Sequence, residues 1–63
     1  MITSSDLRHY DQLDVVCKVR DSGLTKIYTG FLYFIGSETA VMIGRDEIRV
    51  DCIEWIQPKE NNR

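Results

Sequence analysis

The chain contains few of the residues and segments that assign a protein to a specialised class. Its 63 residues include only two cysteines, which are too few for the disulfide framework of a small secreted domain. No stretch approaches the roughly 18 apolar residues that a membrane-spanning helix requires. The first residues also lack the positive charge and the apolar segment of a secretory signal. We therefore expect a cytoplasmic protein that is not inserted into a membrane.

A basic excess is also missing from the composition. Eight lysines and arginines stand against ten aspartates and glutamates, so the formal net charge is −2. Proteins that bind nucleic acids by neutralising phosphates usually carry more basic than acidic residues. The charge balance therefore favours a protein partner over a nucleic acid, and it leaves room only for a local basic patch.

No residue pattern points to catalysis or to a cofactor. The only histidine is His9, and a general base needs both a partner residue and a pocket. The glycine-containing segments lack the spacing of a phosphate-binding loop, and no serine or cysteine lies in a nucleophile motif. The sequence thus predicts a protein that is not an enzyme and that holds neither a cofactor nor a metal ion.

The two cysteines lie among alternating apolar residues. This position predicts that Cys17 and Cys52 are reduced thiols of the core. Neither has a histidine or a second cysteine at the spacing of a metal site. Whether the two thiols ever form a disulfide bond with each other stays open at this point.

The N-terminal segment has the pattern of a short helix over residues 4–13, SSDLRHYDQL. The polar side chains at positions 4–6 are suited to accept hydrogen bonds from the free N–H groups of a first turn. Leu7, Tyr10 and Leu13 recur at intervals of three and form a narrow apolar stripe. Because so short a helix is unstable alone, we expect it to dock on the rest of the protein.

After Asp14 the hydrophobic period changes to two, which indicates β-strands. Glycine-containing turns, such as the one at residues 21–23, divide this part of the chain into hairpins. In the fourth strand Ile48, Val50 and Cys52 alternate with charged residues, and a helical turn is expected before the last strand. The predicted strands cover residues 14–20, 25–35, 39–43, 47–52 and 55–57.

Gly30 lies in the middle of the long second strand, where a glycine often marks a sharp bend. Short strands, tight turns and one long bent strand together predict a mainly β fold. We expect a small five-stranded bent-strand barrel with a short N-terminal α-helix over one opening. The predicted domain covers residues 1–57, and a disordered C-terminal tail is predicted for residues 58–63.

The stretch Tyr28-Thr29-Gly30-Phe31-Leu32, preceded by Gly23, resembles the Sm-like family of SH3-type small barrels. That family has a glycine, a short spacer and an aromatic-x-Gly-x-Leu stretch on its bent second strand. The resemblance covers residues 5–57 and implies the barrel fold. It also implies assembly of copies in which the last strand of one meets the fourth strand of the next.

Two departures from the Sm-like pattern concern RNA binding. The Asp-x-x-Met-Asn sequence of the RNA-binding members is replaced by residues 36–40, GSETA, and the second Sm segment is matched only loosely by residues 45–48, RDEI. The resemblance therefore implies the barrel without the uridine pocket. The chain is closer in pattern to the barrel part of YolD-like proteins, which share an Ile-x-x-Ile ending like Ile53 to Ile56. That resemblance implies a small accessory or regulatory protein of bacteria or phages.

Residues 31–35, FLYFI, form the longest apolar run of the chain. Successive side chains of a strand point to opposite faces, so this run is apolar on both sides. That is more apolar surface than a small barrel encloses, and surplus apolar surface marks interaction sites. We expect a homo-oligomer or a protein partner, and the candidate contact residues are Phe31, Tyr33, Phe34, Trp55 and Ile56.

Two alternative functions remain open from the sequence. The first is an Sm-like binder of RNA or single-stranded nucleic acid, because bases stack on aromatic rings while phosphates meet cations. The second is an inhibitor encoded by a phage or plasmid, with the carboxylates of residues 46–54 as its contact face. The candidate nucleic-acid residues of the first alternative are Lys18, Arg20, Lys26 and Tyr28.

Overall fold

A computed structural model describes residues 2–59 of the chain. This part is mainly β, with one short α-helix and one sheet of five antiparallel strands, as the sequence predicts. Two single 3₁₀ turns, Arg8–Tyr10 and Val50–Cys52, follow the helix and the fourth strand. The elements are α1 (Ser4–Leu7), β1 (Asp14–Asp21), β2 (Leu24–Phe34), β3 (Ala40–Ile43), β4 (Asp46–Arg49) and β5 (Ile53–Pro58).

The strands follow the order β4-β3-β2-β1-β5, so that β4 and β5 form the two edges of the sheet. The long strand β2 pairs with β1 as far as Phe31 and with β3 from Leu32 onward. The predicted turn after β1 is present as a two-residue connection in which Ser22 has φ 54° and Gly23 has φ 82°. Positive φ at both positions is the geometry of the tightest β-hairpins.

One cluster of buried side chains holds the protein together. Leu7 is the buried residue of α1, so the helix docks on the sheet as expected. Ile48 from β4 and Ile53 from β5 lie in the same cluster, which means that both edge strands share one core. The cluster consists of Leu7, Val15, Cys17, Val19, Leu32, Val41, Ile43, Ile48, Val50 and Ile53.

The helix is shorter than predicted and begins with a different cap. Thr3 is the capping residue: its hydroxyl accepts the N–H of Asp6, and the Asp6 carboxylate accepts the N–H of Thr3. This reciprocal pair satisfies two backbone donors that a helix start leaves free. The helical segment ends at Tyr10 because Gln12 adopts φ 63°. Leu13 is therefore not part of an apolar stripe, and its carbonyl instead accepts the N–H of Leu32.

The fourth strand also ends earlier than predicted. β4 stops at Arg49, and residues 50–52 form the 3₁₀ turn. Val50 and Ile53 are both buried at this corner, since side chains three residues apart eclipse one another in a 3₁₀ turn. The prediction that the fourth strand extends to residue 52 is therefore wrong. The prediction of a helical turn before the last strand is confirmed.

The last strand is longer than the predicted residues 55–57. It runs from Ile53 to Pro58, and the N–H of Lys59 donates to the carbonyl of Asp14. The beginning of the predicted tail therefore belongs to the sheet. Residues 60–63, for which disorder is predicted, lie outside the described residues.

Candidate interaction surface

The sheet has two faces that differ in burial. Val15, Cys17 and Val19 of β1 point into the core, while the residues between them point away from it. We call the core side the inner face and the opposite side the outer face. Because residues directly paired across antiparallel strands share a face, the strand register assigns each candidate residue to one of the two.

Phe31 and Tyr33 of β2 lie on the outer face. Phe31 is paired with Asp14 and Tyr33 with Met42, and the intervening Leu32 is fully buried. Phe31 is 45% exposed and Tyr33 is 40% exposed. Their ring centroids are 6.4 Å apart at an angle of 39°, which is within the range of favourable aromatic pairs.

Trp55 of β5 belongs to the same face. It is paired with Lys18 of β1, and Lys18 is paired in turn with Ile27 of β2. Ile27 is 55% exposed and Trp55 is 39% exposed, so two apolar side chains flank the lysine stem in one row across the sheet. We call the set Ile27, Phe31, Tyr33 and Trp55 the outer apolar surface.

Two of the five candidate contact residues lie on the inner face instead. Phe34 is paired with the buried Val41, and Ile56 is paired with the buried Cys17. Both are half-buried and pack against the core cluster. The guanidinium of Arg8 also lies 4.5 Å from the centre of the Phe34 ring. Arg8 therefore covers part of that ring and makes a cation–π contact with it.

The candidate nucleic-acid residues are divided between the two faces. Lys26 and Tyr28 are paired with the buried Val19 and Cys17 and therefore lie on the inner face. The ammonium of Lys26 lies 5.3 Å from the centre of the Tyr28 ring. Both residues line a cleft of about 340 Å³, whose other lining residues include Asp21, Glu47 and Arg49.

Lys18 and Arg20 lie on the outer face and share one acidic partner. The carboxylate of Glu54 is 3.7 Å from the Lys18 ammonium and 3.4 Å from the Arg20 guanidinium. All three side chains are substantially exposed, so each ion pair contributes at most about 1 kcal/mol. The register thus separates these two cations from Lys26 and Tyr28, and the four do not form one platform.

The thiols have little nucleophilic character. Both cysteines are free, Cys17 being buried and Cys52 half-buried. Burial raises the pKa of the Cys17 thiol from 9.0 to about 11. Burial also raises the pKa of Cys52, to which the hydrogen bond with Asp51 adds. Since the thiolate is the reactive form, neither side chain is primed for covalent chemistry at neutral pH.

Residues 2–59 contain no group of three His, Cys, Asp or Glu side chains arranged to hold a metal ion. In the same residues, no helix has both the length and the apolar character needed to cross a membrane.

Ile27 is the member of the outer apolar surface that the sequence reasoning missed. The sequence does contain a signal for Ile27. Alternate residues of a strand share a face, so Ile27 and Thr29 lie on the same face as Phe31. Leu24, which is 76% exposed near the hairpin turn, was missed as well. The register places it with the inner face, away from the outer apolar surface.

The chain was compared with protein-family models, with curated proteins and with solved structures. No family model, no curated protein and no solved structure matches it.

Proposed function

We propose that this protein is a non-enzymatic interaction module that binds a second protein surface, of its own kind or another, through the outer apolar surface. The observation that carries the proposal is the joint exposure of Phe31, Tyr33 and Trp55 on the face opposite the core. Aromatic residues are enriched among those that dominate binding energy at protein interfaces.

The surface is large enough to contribute to association. Fully burying one large apolar side chain is worth about 1.5–3 kcal/mol, and the four members of the surface start roughly half-exposed. Covering them therefore yields on the order of 4 kcal/mol before the costs of association. A chain of 63 residues has a small core, so that added stabilisation is large relative to its own folding free energy.

We further infer that the fold is an Sm-like, SH3-type barrel, with the YolD-like proteins as the nearest pattern. The change of partner strand along β2 near Gly30 supports this inference, because a bent second strand of that family belongs to both parts of the sheet. The contribution of β4 and β5 to one core also supports it. The inferred role is accessory or regulatory.

Light scattering after size exclusion tests the proposed function, together with a pull-down from bacterial extract for a foreign partner. The double substitution F31S/Y33S should abolish whichever association the wild-type protein shows. The matched control is Leu24→Ser, which removes a more exposed apolar side chain from a different part of the protein. The control variant should associate like the wild type.

Two results contradict the proposal. One is a wild-type protein that stays monomeric at several hundred micromolar and captures no protein. The other is an association that F31S/Y33S leaves intact. Circular dichroism of each variant confirms that the fold is retained, which is expected because both substituted side chains are exposed.

The nucleic-acid alternative has less support, because its four residues lie on two faces and Glu54 lies beside two of them. It predicts binding of short single-stranded RNA or DNA with an affinity that falls steeply as salt rises. Fluorescence anisotropy at low salt measures this directly. The inhibitor alternative predicts instead that charge reversal within residues 46–54 abolishes capture of a foreign protein.

A further inference from the structure

The cleft of about 340 Å³ lies on the inner face at the beginning of β2. The helical segment covers the other end of that strand, where Arg8 lies on the ring of Phe34. Val19 and Ile48, which belong to the buried cluster, line the cleft. The cleft therefore reaches the core at the end of the protein that lies away from the helical segment.

Apolar side chains form much of the cleft lining. Val19 and Ile48 are buried, while Tyr28 and Cys52 are half-buried. Leu24, on the inner face of the β1–β2 hairpin, is 76% exposed, so its side chain has little cover within the protein. A ligand with an apolar body would gain free energy by covering Leu24 and the Tyr28 ring.

Each wall of the cleft carries one acidic and one basic side chain. Asp21 and Lys26 form one pair, as diagonal neighbours on the paired strands of the hairpin. Glu47 and Arg49 form the other pair, two residues apart on β4, so that their side chains share a face. The four formal charges therefore sum to zero.

The two cations of the cleft have partners other than its carboxylates. The ammonium of Lys26 lies 5.3 Å from the centre of the Tyr28 ring. The guanidinium of Arg49 lies 2.9 Å from the carboxylate of Asp51, which does not line the cleft. Because a cation–π contact at an exposed site is weak, Lys26 can leave the ring when a ligand offers a carboxylate.

The two carboxylates of the cleft are open to a ligand. Within residues 2–59, neither Asp21 nor Glu47 forms an ion pair. Asp21 accepts a hydrogen bond from the hydroxyl of Ser22, but that bond is long at 3.4 Å. Besides burial and the hydrogen bond from Asp51, the charge of Asp21 raises the pKa of Cys52. Asp21 therefore lies near the turn that continues the wall of Glu47.

We propose that the cleft binds a free amino acid with an aromatic or large aliphatic side chain. Its α-ammonium lies between Asp21 and Glu47, and its α-carboxylate is bound by Lys26, which has left the Tyr28 ring. The side chain of the ligand then covers that ring and Leu24. A ligand with a single charge would be attracted by two of the four charged residues and repelled by the other two, whereas a zwitterion contacts both signs favourably.

The size of the cleft agrees with such a ligand. Sites for small molecules begin at about 300 Å³, and this cleft lies near that lower limit. A ligand of about a dozen non-hydrogen atoms reaches a Kd on the order of 1 mM. The cleft is on the inner face, away from the outer apolar surface, so the inference goes beyond the proposed function and does not depend on it.

Titration of the ¹⁵N-labelled protein with L-phenylalanine, followed by amide chemical shifts, tests the proposal. We expect saturable shifts confined to residues 19–28 and 47–52, with a Kd on the order of 1 mM. Three analogues each lack one feature of the ligand: phenethylamine has no carboxylate, 3-phenylpropionate has no ammonium, and glycine has no apolar side chain. Each should bind more weakly by about fivefold or more.

Two variants test the assigned contacts. Lys26→Gln should abolish the preference for L-phenylalanine over phenethylamine, because Lys26 binds the carboxylate and repels an amine. Glu47→Gln should weaken the binding of L-phenylalanine by about threefold or more. The matched controls Lys59→Gln, just after β5, and Glu38→Gln, in the loop after β2, remove the same charges elsewhere and should bind like the wild type. The amide spectra also show that each variant is folded.

Three results overturn the inference. The first is the absence of saturable shifts at L-phenylalanine concentrations on the order of 10 mM, or shifts scattered over the whole protein. The second is wild-type binding of phenethylamine or 3-phenylpropionate as strong as that of L-phenylalanine. The third is an equal loss of affinity in the control variants. A protein that binds L-phenylalanine but neither self-associates nor captures another protein overturns only the proposed function, and the reverse result overturns only this inference.

Discussion

Gly30 is the position at which a single added carbon should damage the protein most. It lies on β2 just before the strand changes its pairing from β1 to β3. A Cβ atom built there would lie 3.0 Å from both the Cα and the N of Gly44. Those are backbone atoms of the turn between β3 and β4, so they cannot rotate aside as the end of a side chain would.

The Gly30→Ala effect combines this contact with backbone strain, because Gly30 has φ 156°, a conformation that residues with a side chain rarely adopt. Inserting a methyl group into a tightly packed site costs about 1–3 kcal/mol. A domain of this size has a folding free energy of only about 3–5 kcal/mol. We therefore expect Gly30→Ala to remove between about a fifth and all of the stability, through separation of the β3–β4 hairpin from β2.

Urea unfolding monitored by the fluorescence of Trp55, the only tryptophan, measures the loss. The control is Gly36→Ala, since Gly36 has φ 82° but an added Cβ there meets nothing within 4 Å. The control carries only the backbone strain of a left-handed residue, about 1–2 kcal/mol. A Gly30→Ala protein that is as stable as the wild type would refute the reasoning about the contact.

Three further predictions concern stability. Leu32→Ala should cost about 2–5 kcal/mol in urea unfolding because Leu32 is fully buried, while Leu24→Ala should change stability by less than about 0.5 kcal/mol. Thr3→Ala should cost about 1 kcal/mol. The backbone N–H of Thr3, which lowers the Asp6 pKa most, remains in that variant, whereas the hydroxyl that also lowers it is lost, so an NMR titration should show the Asp6 pKa rising but staying below its ordinary value. The free energy of unfolding should fall between pH 9 and about 11, because the Cys17 pKa is raised over that window and the unfolded thiol ionises first. Cys17→Ala should flatten that decline, and an unchanged slope would contradict the assignment.

The sequence predicts the strands where turn chemistry and alternation agree. Asp21, Ser22 and Gly23 specify the first hairpin by their tolerance of positive φ, and the structure has that turn. The regular alternation from Val15 to Val19 likewise fixes which side chains of β1 enter the core. These features depend on residues that are close together in the chain, so local sequence patterns are sufficient to predict them.

The errors occurred where local patterns are compatible with more than one structure. Ile48, Val50 and Cys52 alternate like a strand, yet Val50 and Ile53 also fit the three-residue period of a 3₁₀ turn. The N–H of Val50 still donates to the carbonyl of Thr39 in the register of the β3–β4 pair, so the chain leaves that ladder at Val50. In the helix, Gln12 at φ 63° ends a pattern that Leu13 would otherwise extend, and no local rule requires that conformation of a glutamine.

The sequence predicts which apolar residues are candidates for the site, but not which of them lie on the same face of the sheet. The apolar run at residues 31–35 indicated surplus apolar side chains, whereas the strand register was needed to separate Phe31 and Tyr33 from Phe34. The same register divided Lys18 and Arg20 from Lys26 and Tyr28. The pairing of strands that are distant in sequence determines which of these residues share a face. A single sequence does not reveal that pairing directly.

The alternation of β2 explains why the outer apolar surface lies outside the core. Leu32 is fully buried, and because neighbours in a strand point to opposite sides, Phe31 and Tyr33 cannot reach the same core. Part of each ring is covered within the chain, and the two rings form an aromatic pair. The rest of their area, together with the exposed parts of Ile27 and Trp55 on the same face, gains nothing from folding alone. Under the proposed function, this remaining area is what a second surface covers.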